Sequence, residues 1–411
     1  MTIEISAPNG RIPVVVQWEM SNFFGWGIYA TNIMLHLAHD PDLAPRLATP
    51  VAPGRLVIDG LRLHVLTPAL EESRDLQETL AKCTLPEIRV NAPVLTALND
   101  KLIGGNISIT GVLPRGRPAI GLIFICDTEI DAAALERGRR HDIIVAGSNW
   151  NRDLLIAAGL ERVEMVFQGV DTSVFHPAPR SGFYRNRFLI FSGGKLEYRK
   201  AQDLVMRAFG IFSKRHADAY LITAWHSPWP SLAKGVGFAA GCPEVPFGSA
   251  GLPDIKAWAA AMGVEPGRVS DLGAIPNAQM APILRDMDVA LFPNRCEPGT
   301  NLVAMECMAC AVPSILSRNT GHLDIIGRDD CYVLDRQLPV GPRRPLTNGT
   351  EGWGECDVDE MVERLEEVYR GRDEAKRRAA VGAEKMARLS WRAQIGQLKK
   401  TILPVIQEVV R

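Results

Sequence analysis

Two glutamates, Glu297 and Glu306, bracket a Pro-Gly-Thr turn in the run CEPGTNLVAMECMAC (296–310), the second of them among Met, Ala and Val. An ionised carboxylate in apolar surroundings is costly unless something pairs with it. A helix that begins near Thr300 would aim its unsatisfied N–H groups, and the positive end of its dipole, at the preceding loop. That arrangement suits a phosphate or pyrophosphate. Gly299 lets backbone approach a ligand closely. Glu306 falls on the helix face of Leu302 and Val303. There its carboxylate either meets paired hydroxyls, such as a ribose 2′,3′-diol, or snorkels to solvent at the helix edge. Composition alone leaves both open.

A second stretch, FSGGKLEYRKAQD (191–203), runs from a strand into Gly193-Gly194 and then places Lys195 and Lys200 just ahead of a helix. Point positive charges beside a helix N-terminus suit phosphates. The spacing of a P-loop is absent, which disfavours ATPase chemistry. A third, NFFGWGIYATN (22–32), is a glycine loop whose Gly25 and Gly27 depart from the dinucleotide fingerprint, with Ala30 at the third glycine position. The acid expected about twenty residues later is missing too, which argues against a nicotinamide oxidoreductase. A tight turn with a packed Trp26 accounts equally for those residues.

Two other patterns look chemical and read as structural. Cys307 and Cys310 form the one C-x-x-C pair among eight scattered cysteines and lack partner ligands for zinc. Asp286-Met287-Asp288 imitates a metal motif, but no further oxygen ligands cluster beside it in sequence.

These residues need a scaffold, and the 411-residue chain is long enough for two cores. With 46 Lys+Arg against 47 Asp+Glu, it shows no basic excess of the kind a nucleic-acid binder carries. No apolar run is long enough to cross a bilayer, and the N-terminus lacks the order of a secretory signal, so a cytoplasmic protein is expected. Apolar runs alternate with helical patterns, the signature of parallel α/β architecture. IPVVVQWEM (12–20) reads as the first strand, FFGWG (23–27) as a turn and IYATNIMLHLAHD (28–40) as a helix. AIGLIFIC (119–126) and HDIIVAGS (141–148) are strand-like, with Asn149 capping the helix that follows. A Pro-containing stretch within 162–182 places a domain boundary near residue 178. The alternation then restarts with strands at 187–194, 219–225, 289–294 and 313–317, and the tail from Asp357 is helical and charged. Open sheets of this kind bind ligands at the carboxyl ends of their strands.

Taken together, AGSNWNRDLLIAAG, FQGVDTSVFHP, GGKLEYRKAQD and ALFPNRCEPGTNLVAMECMACAVPSI, in that order, resemble the retaining nucleotide-sugar glycosyltransferases of family 4. The resemblance covers residues 140–400 well and the N-terminal third mainly through the glycine loop. It implies the α/β GT-B architecture: two Rossmann-like doubly wound domains facing across a cleft. Residues 1–178 would form the acceptor-side domain and 179–390 the nucleotide-sugar domain, with 391–411 a helix crossing back onto the first. It implies a retaining, metal-independent transferase with no cofactor, its nucleoside-diphosphate sugar being a co-substrate.

By the same resemblance Glu306 binds the ribose hydroxyls, while Lys195 and Lys200 contact the donor diphosphate. Amides around Gly299, Thr300, Asn301 and Leu302 complete that cradle, with Gly194 and the glycine loop of Gly25 and Gly27 bordering it. Glu297 faces the donor sugar, although eight residues separate it from Glu306 where the family commonly has seven. The acceptor enters past Trp26, and Asp127 or Glu129 stands where relatives contact the donor sugar. His322 orders a loop near the donor, and base recognition falls to backbone near GAIPN (273–277). The competing readings are a non-catalytic nucleotide-sugar-binding protein and a sugar-nucleotide epimerase of similar fold.

Overall fold

The structure, a computed structural model, describes residues 2–7, 10–105 and 111–410. The chain divides into two units, Met1–Gly169 with Trp391–Arg411, and Val170–Ser390. The first holds a six-stranded sheet in the order Leu43–Leu47, Ile12–Val16, Val94–Leu98, Ala119–Ile123, Ile143–Ala146, Val163–Met165, parallel throughout. The order reverses between Ile12–Val16 and Val94–Leu98, the switch point of a doubly wound sheet. A smaller parallel sheet pairs Thr2–Ile3, Glu87–Val90 and Leu113–Arg115. The last helix, Trp391–Val410, belongs to this unit: the Trp391 ring stacks on Tyr29 at 5.5 Å, and Lys399 pairs with Asp40 at 2.8 Å.

In the second unit the order is Val269–Asp271, Ala219–Ala224, Phe188–Gly193, Val289–Phe292, Ser314–Ser317, Tyr332–Leu334, again all parallel. By position along the chain this is 3-2-1-4-5-6, the order of a dinucleotide-type Rossmann sheet. Every residue of FLIFSG (188–193) is buried, as a parallel strand covered on both faces requires. Alternation divides it between two cores. Phe188 and Ile190 pack with Phe209, Trp258 and Leu365, while Leu189 and Phe191 pack with Met280, Ala304 and Met305. The switch point lies between Phe188–Gly193 and Val289–Phe292, so the loops that leave these two strands open onto one ligand edge.

Three expectations are corrected. The division falls at residue 170, not 178, because the Val170 N–H donates to the Leu389 carbonyl at 2.9 Å and Phe175 is buried in the second unit's core. Gly25, Trp26 and Gly27 do not form a loop but are the first residues of the helix Gly25–Leu37, and a Cβ on Gly27 would overlap Ser21. The helix Asn149–Ala157 is capped by Ser148, whose hydroxyl accepts from the Asn151 N–H, so Asn149 is its first residue and not its cap. Among the described residues, no helix is long and apolar enough to cross a membrane.

Candidate functional site

At the end of Phe188–Gly193 the chain turns through Gly194 at φ 102°, a conformation that side chains with a Cβ rarely adopt. Gln202 stitches the loop that follows, donating to the Lys195 carbonyl at 2.8 Å. A 3-10 turn, Tyr198–Lys200, then aims Lys200 inward, where it is buried. The loop leaving the neighbouring strand supplies Asn294, Arg295, Cys296 and Glu297. Arg295 locks the two loops together. Its guanidinium holds Asp203 in a bidentate pair at 2.8 and 2.7 Å, donates to the Tyr198 carbonyl at 2.8 Å and pairs with Glu355 at 2.8 Å. A backbone bond from Cys296 N–H to Arg199 C=O at 3.1 Å completes the join.

This clamp places Glu297 against Lys200, with which it forms a buried ion pair. Arg199 approaches the same carboxylate at 3.4 Å, and Asn294 donates to it at 2.8 Å. Burial alone would raise the Glu297 pKa, but Lys200, Arg199 and their neighbours together bring it down to about 2. Burial pulls Lys200 below the ordinary lysine range, with Glu297 opposing that fall. The pair is held ionised by mutual attraction. Arg199 also pairs with Glu197 at 2.6 Å, and Lys195, half-exposed, lies 3.5 Å from Glu197. Three cations facing two carboxylates leave one positive charge in excess, a local field that favours anions.

The turn after Glu297 is pinned by residues 319–322. Thr320 accepts from the Glu297 N–H at 2.8 Å, and Gly321 donates to the Glu297 carbonyl at 2.8 Å. A Cβ at position 321 would sit 1.9 Å from the Gly299 oxygen, so only glycine permits this approach. The helix is Leu302–Ala309 rather than starting at Thr300, because Asn301, at φ 63°, is its N-cap and accepts from the Ala304 N–H. The Asn301 amide in turn donates to His322 Nε2 at 3.0 Å, while His322 Nδ1 faces Ser317 Oγ at 3.0 Å. Burial drives the His322 pKa down to about 4, leaving a neutral ring that orients the cap. The Leu302 and Val303 amides of the first turn have no intrahelical acceptor and are of the kind that suits a phosphate. Val303 of this turn lies against Gly193, so the helix start and the lysine-bearing loop share one edge of the sheet.

Glu306, one turn further on, is buried and not at a solvent-facing edge. Its Oε1 accepts from Asn277 Nδ2 at 2.6 Å. Burial raises its pKa to about 8, against the opposing Asn277 hydrogen bond. It has no cation beside it among the described ion pairs, a sharp contrast with Glu297.

Gly25, Trp26, Asp127 and Glu129 lie in the first unit. Trp26 packs edge-on against Trp18 at 5.3 Å and Phe124 at 4.7 Å. Asp127 is buried and accepts from the Glu129 N–H at 3.0 Å, whereas Glu129 is exposed. Gly25 is exposed at the helix start. Asp286 and Asp288 serve the fold: Asp286 accepts from the Ser181 N–H at 2.7 Å, and Asp288 pairs with Arg180 and Arg372. Cys307 and Cys310 are buried free thiols whose pKa values burial pushes up. Among the described residues, no group of three or more His, Cys, Asp or Glu is arranged to hold a metal ion. Sequence reasoning missed Arg199, Glu197, Asn294 and Asn277. The alternating charges of Glu197-Tyr198-Arg199-Lys200 were the available signal for the first two, whereas nothing local marks the others.

Residues 187–339 match the family model described as Glycosyl transferases group 1. Over 214 residues the chain is 26% identical to a GDP-mannose-dependent alpha-(1-6)-phosphatidylinositol dimannoside mannosyltransferase of Mycobacterium tuberculosis. That alignment takes in 50% of this chain and 49% of the mannosyltransferase, so the chain spans about half the length of the curated relatives it matches. Among solved structures, sucrose-phosphate synthase from Thermosynechococcus elongatus superposes with a TM-score of 0.64 at 14% identity, covering 97% of this chain and all of that one. Anabaena HepE in complex with UDP and glucose gives 0.61 at 13% identity, covering 96% of this chain and 100% of HepE. The fold is that of the GT-B glycosyltransferases, and family match and fold together support a glycosyltransferase.

Proposed function

We propose that this chain is a retaining, metal-independent glycosyltransferase of family 4 that moves a hexose from a nucleoside-diphosphate sugar to a hydroxyl acceptor. One observation carries the reading. The switch-point edge of the second unit gathers Lys195, Arg199, Lys200 and Glu297 beside the start of the helix that bears Glu306. The comparisons support a nucleotide-sugar donor, since one relative is named for GDP-mannose and a structural neighbour was crystallised with UDP and glucose.

In this reading the ribose diol meets Glu306, and the diphosphate lies between the first-turn amides at Leu302 and Val303 and the cationic loop. As the anomeric bond breaks, its electron pair passes to the diphosphate oxygen. Lys195, Lys200 and the helix end stand beside that growing charge in this reading and stabilise it. They supply in place what a divalent cation supplies in other transferases. Lys200 exchanges part of its contact with Glu297 for the phosphate, leaving the Glu297 carboxylate to face the sugar. Trp26, Asp127 and Glu129 are assigned to the acceptor and sugar side.

The test is calorimetric titration with UDP, GDP, ADP and CMP, each with and without EDTA, followed by turnover with the sugar of whichever nucleotide binds. Binding by one nucleoside diphosphate that EDTA leaves unchanged, with product of retained anomeric configuration by NMR, is the expected result. Loss of binding or turnover in EDTA would overturn the metal-independent reading, and an inverted product the retaining one. Binding without turnover for any sugar would favour a binding protein.

A further inference from the structure

Glu306 and Asn277 belong to separate segments that the sheet brings together. Asn277 follows the strand Val269–Asp271 through a turn at Gly273 and opens the 3-10 turn Asn277–Gln279, its place set by Pro276, whose carbonyl accepts from the Gln279 N–H at 2.9 Å. Glu306 comes from the helix Leu302–Ala309. Their 2.6 Å bond is charge-assisted whenever Glu306 is ionised, and it occupies one carboxyl oxygen, Oε1. The other groups that act on Glu306 are Asp171, which opposes its ionisation, and the neighbouring thiols Cys307 and Cys310, both kept neutral by burial. None of them is a cation.

We propose that Asn277 is a positioning residue for nucleotide recognition: by holding Oε1 it turns Oε2 of Glu306 towards the ligand and makes the site selective for a ribose over a deoxyribose. The inference rests on the reading of Glu306 as a ribose contact and adds what holds it. The choice of an amide has a physical reason. A lysine or arginine in its place would pair with the carboxylate and hold it ionised, as Lys200 and Arg199 do for Glu297. A neutral donor fixes the orientation and leaves the charge to be satisfied by the two hydroxyls of a vicinal diol. It also links the 273–277 loop to the sugar contact, so that the segment next to the base and the carboxylate under the ribose are set by one bond.

The experiment compares UDP with 2′-deoxy-UDP, and GDP with 2′-deoxy-GDP, by calorimetry across about pH 6.5 to 9. The proteins are wild type, Glu306→Gln, Asn277→Asp and Asn277→Ala, each checked for a cooperative thermal transition. Asn277→Asp keeps the shape and removes the N–H donor, while Asn277→Ala removes both. Wild type is expected to prefer the ribonucleotide by about tenfold or more, the scale of one hydrogen bond to a charged group. Both Asn277 variants are expected to lose most of that preference, and the pH at which binding strengthens should move upward in each. A wild type that binds neither pair, or the same preference in Glu306→Gln, would refute the ribose contact itself and the inference with it. Preference lost in Glu306→Gln but kept in both Asn277 variants, with an unmoved pH midpoint, would refute the role of Asn277 alone.

Discussion

Replacing Glu306 by Gln should make the protein more stable and a poorer nucleotide binder at once. The stability half follows from linkage. The carboxyl has an ordinary pKa of 4.5 and one of about 8 in the fold, where burial favours its neutral form. Between those values the unfolded chain loses the proton and the folded chain keeps it, so the folded state loses ground as pH rises from 4.5 towards 8. At pH 7 this amounts to about 3 kcal/mol, and at pH 5 to under about 1 kcal/mol. Glutamine keeps the Asn277 bond and cannot ionise. Glu306→Gln should therefore melt several degrees above wild type near pH 8 and nearly with it at pH 5.

The binding half runs the other way. Hydroxyls that donate to Glu306 favour its ionised form, so nucleotide binding there should expel the proton. Only about a tenth of the free site is ionised at pH 7, against about nine-tenths at pH 9, and wild-type affinity should rise about tenfold between them. The glutamine variant should bind weakly at both values, without that rise. Differential scanning calorimetry and titration with a nucleoside diphosphate measure the two halves. Equal melting of both proteins at pH 8 would refute the buried, protonated carboxyl. A wild-type affinity flat from pH 7 to 9, or the same rise in Glu306→Gln, would refute its contact with the ligand.

Lys200→Met breaks the buried pair with Glu297 and should cost about 3 kcal/mol in urea unfolding, the low end for such pairs because Arg199 and Asn294 remain. The same variant should weaken nucleoside diphosphates by tenfold or more while leaving the bare nucleoside unchanged; an equal loss for both would mean that Lys200 does not hold phosphate. Gly321→Ala forces a methyl into the Gly299 carbonyl and should displace the Glu297–Asn301 turn, cutting turnover far more than overall helix content by circular dichroism. His322 is kept neutral by burial, with a folded pKa of about 4, so its contribution is present above pH 6.5 and lost as pH falls towards 4. His322→Asn should flatten the acid branch of the stability profile over that window, measured by urea midpoints from pH 7 to 4.

Much of the second unit was legible because its central strands are short, mostly apolar runs, the first of them ending in a glycine turn. The carboxyl ends of such strands are where loops carry chemistry, so Gly194, Lys200, Glu297 and Glu306 stood out. The glycine stretch 25–27 misled because glycines signal turns, yet inside this helix the missing Cβ of Gly27 is what lets Ser21 approach. Ser148 and Asn149 are both good caps, and only the backbone geometry decides between them. Asn277 was invisible for a different reason. It lies 29 residues from Glu306, and a lone Asn beside a proline reads as turn chemistry. Contacts that depend on which strand lies next to which cannot be read from local pattern.

The two motif glutamates show how one short segment can prepare opposite electrostatics. Glu297 leaves the strand into a loop clamped by Arg295, where Lys200 and Arg199 pin it as an anion with a pKa of about 2. Glu306 lies one helical turn past the cap, where neighbours are Ala, Met and Cys and the nearest polar partner is an amide, and its pKa reaches about 8. Carboxylates pushed apart in this way take different tasks. The first is held as an anion by the cations around it. The second is mostly neutral below pH 8, and further hydrogen bonds donated to it would favour its charged form. Glu297 is fixed by the strand end and residues 319–322, and Glu306 by its helix and Asn277.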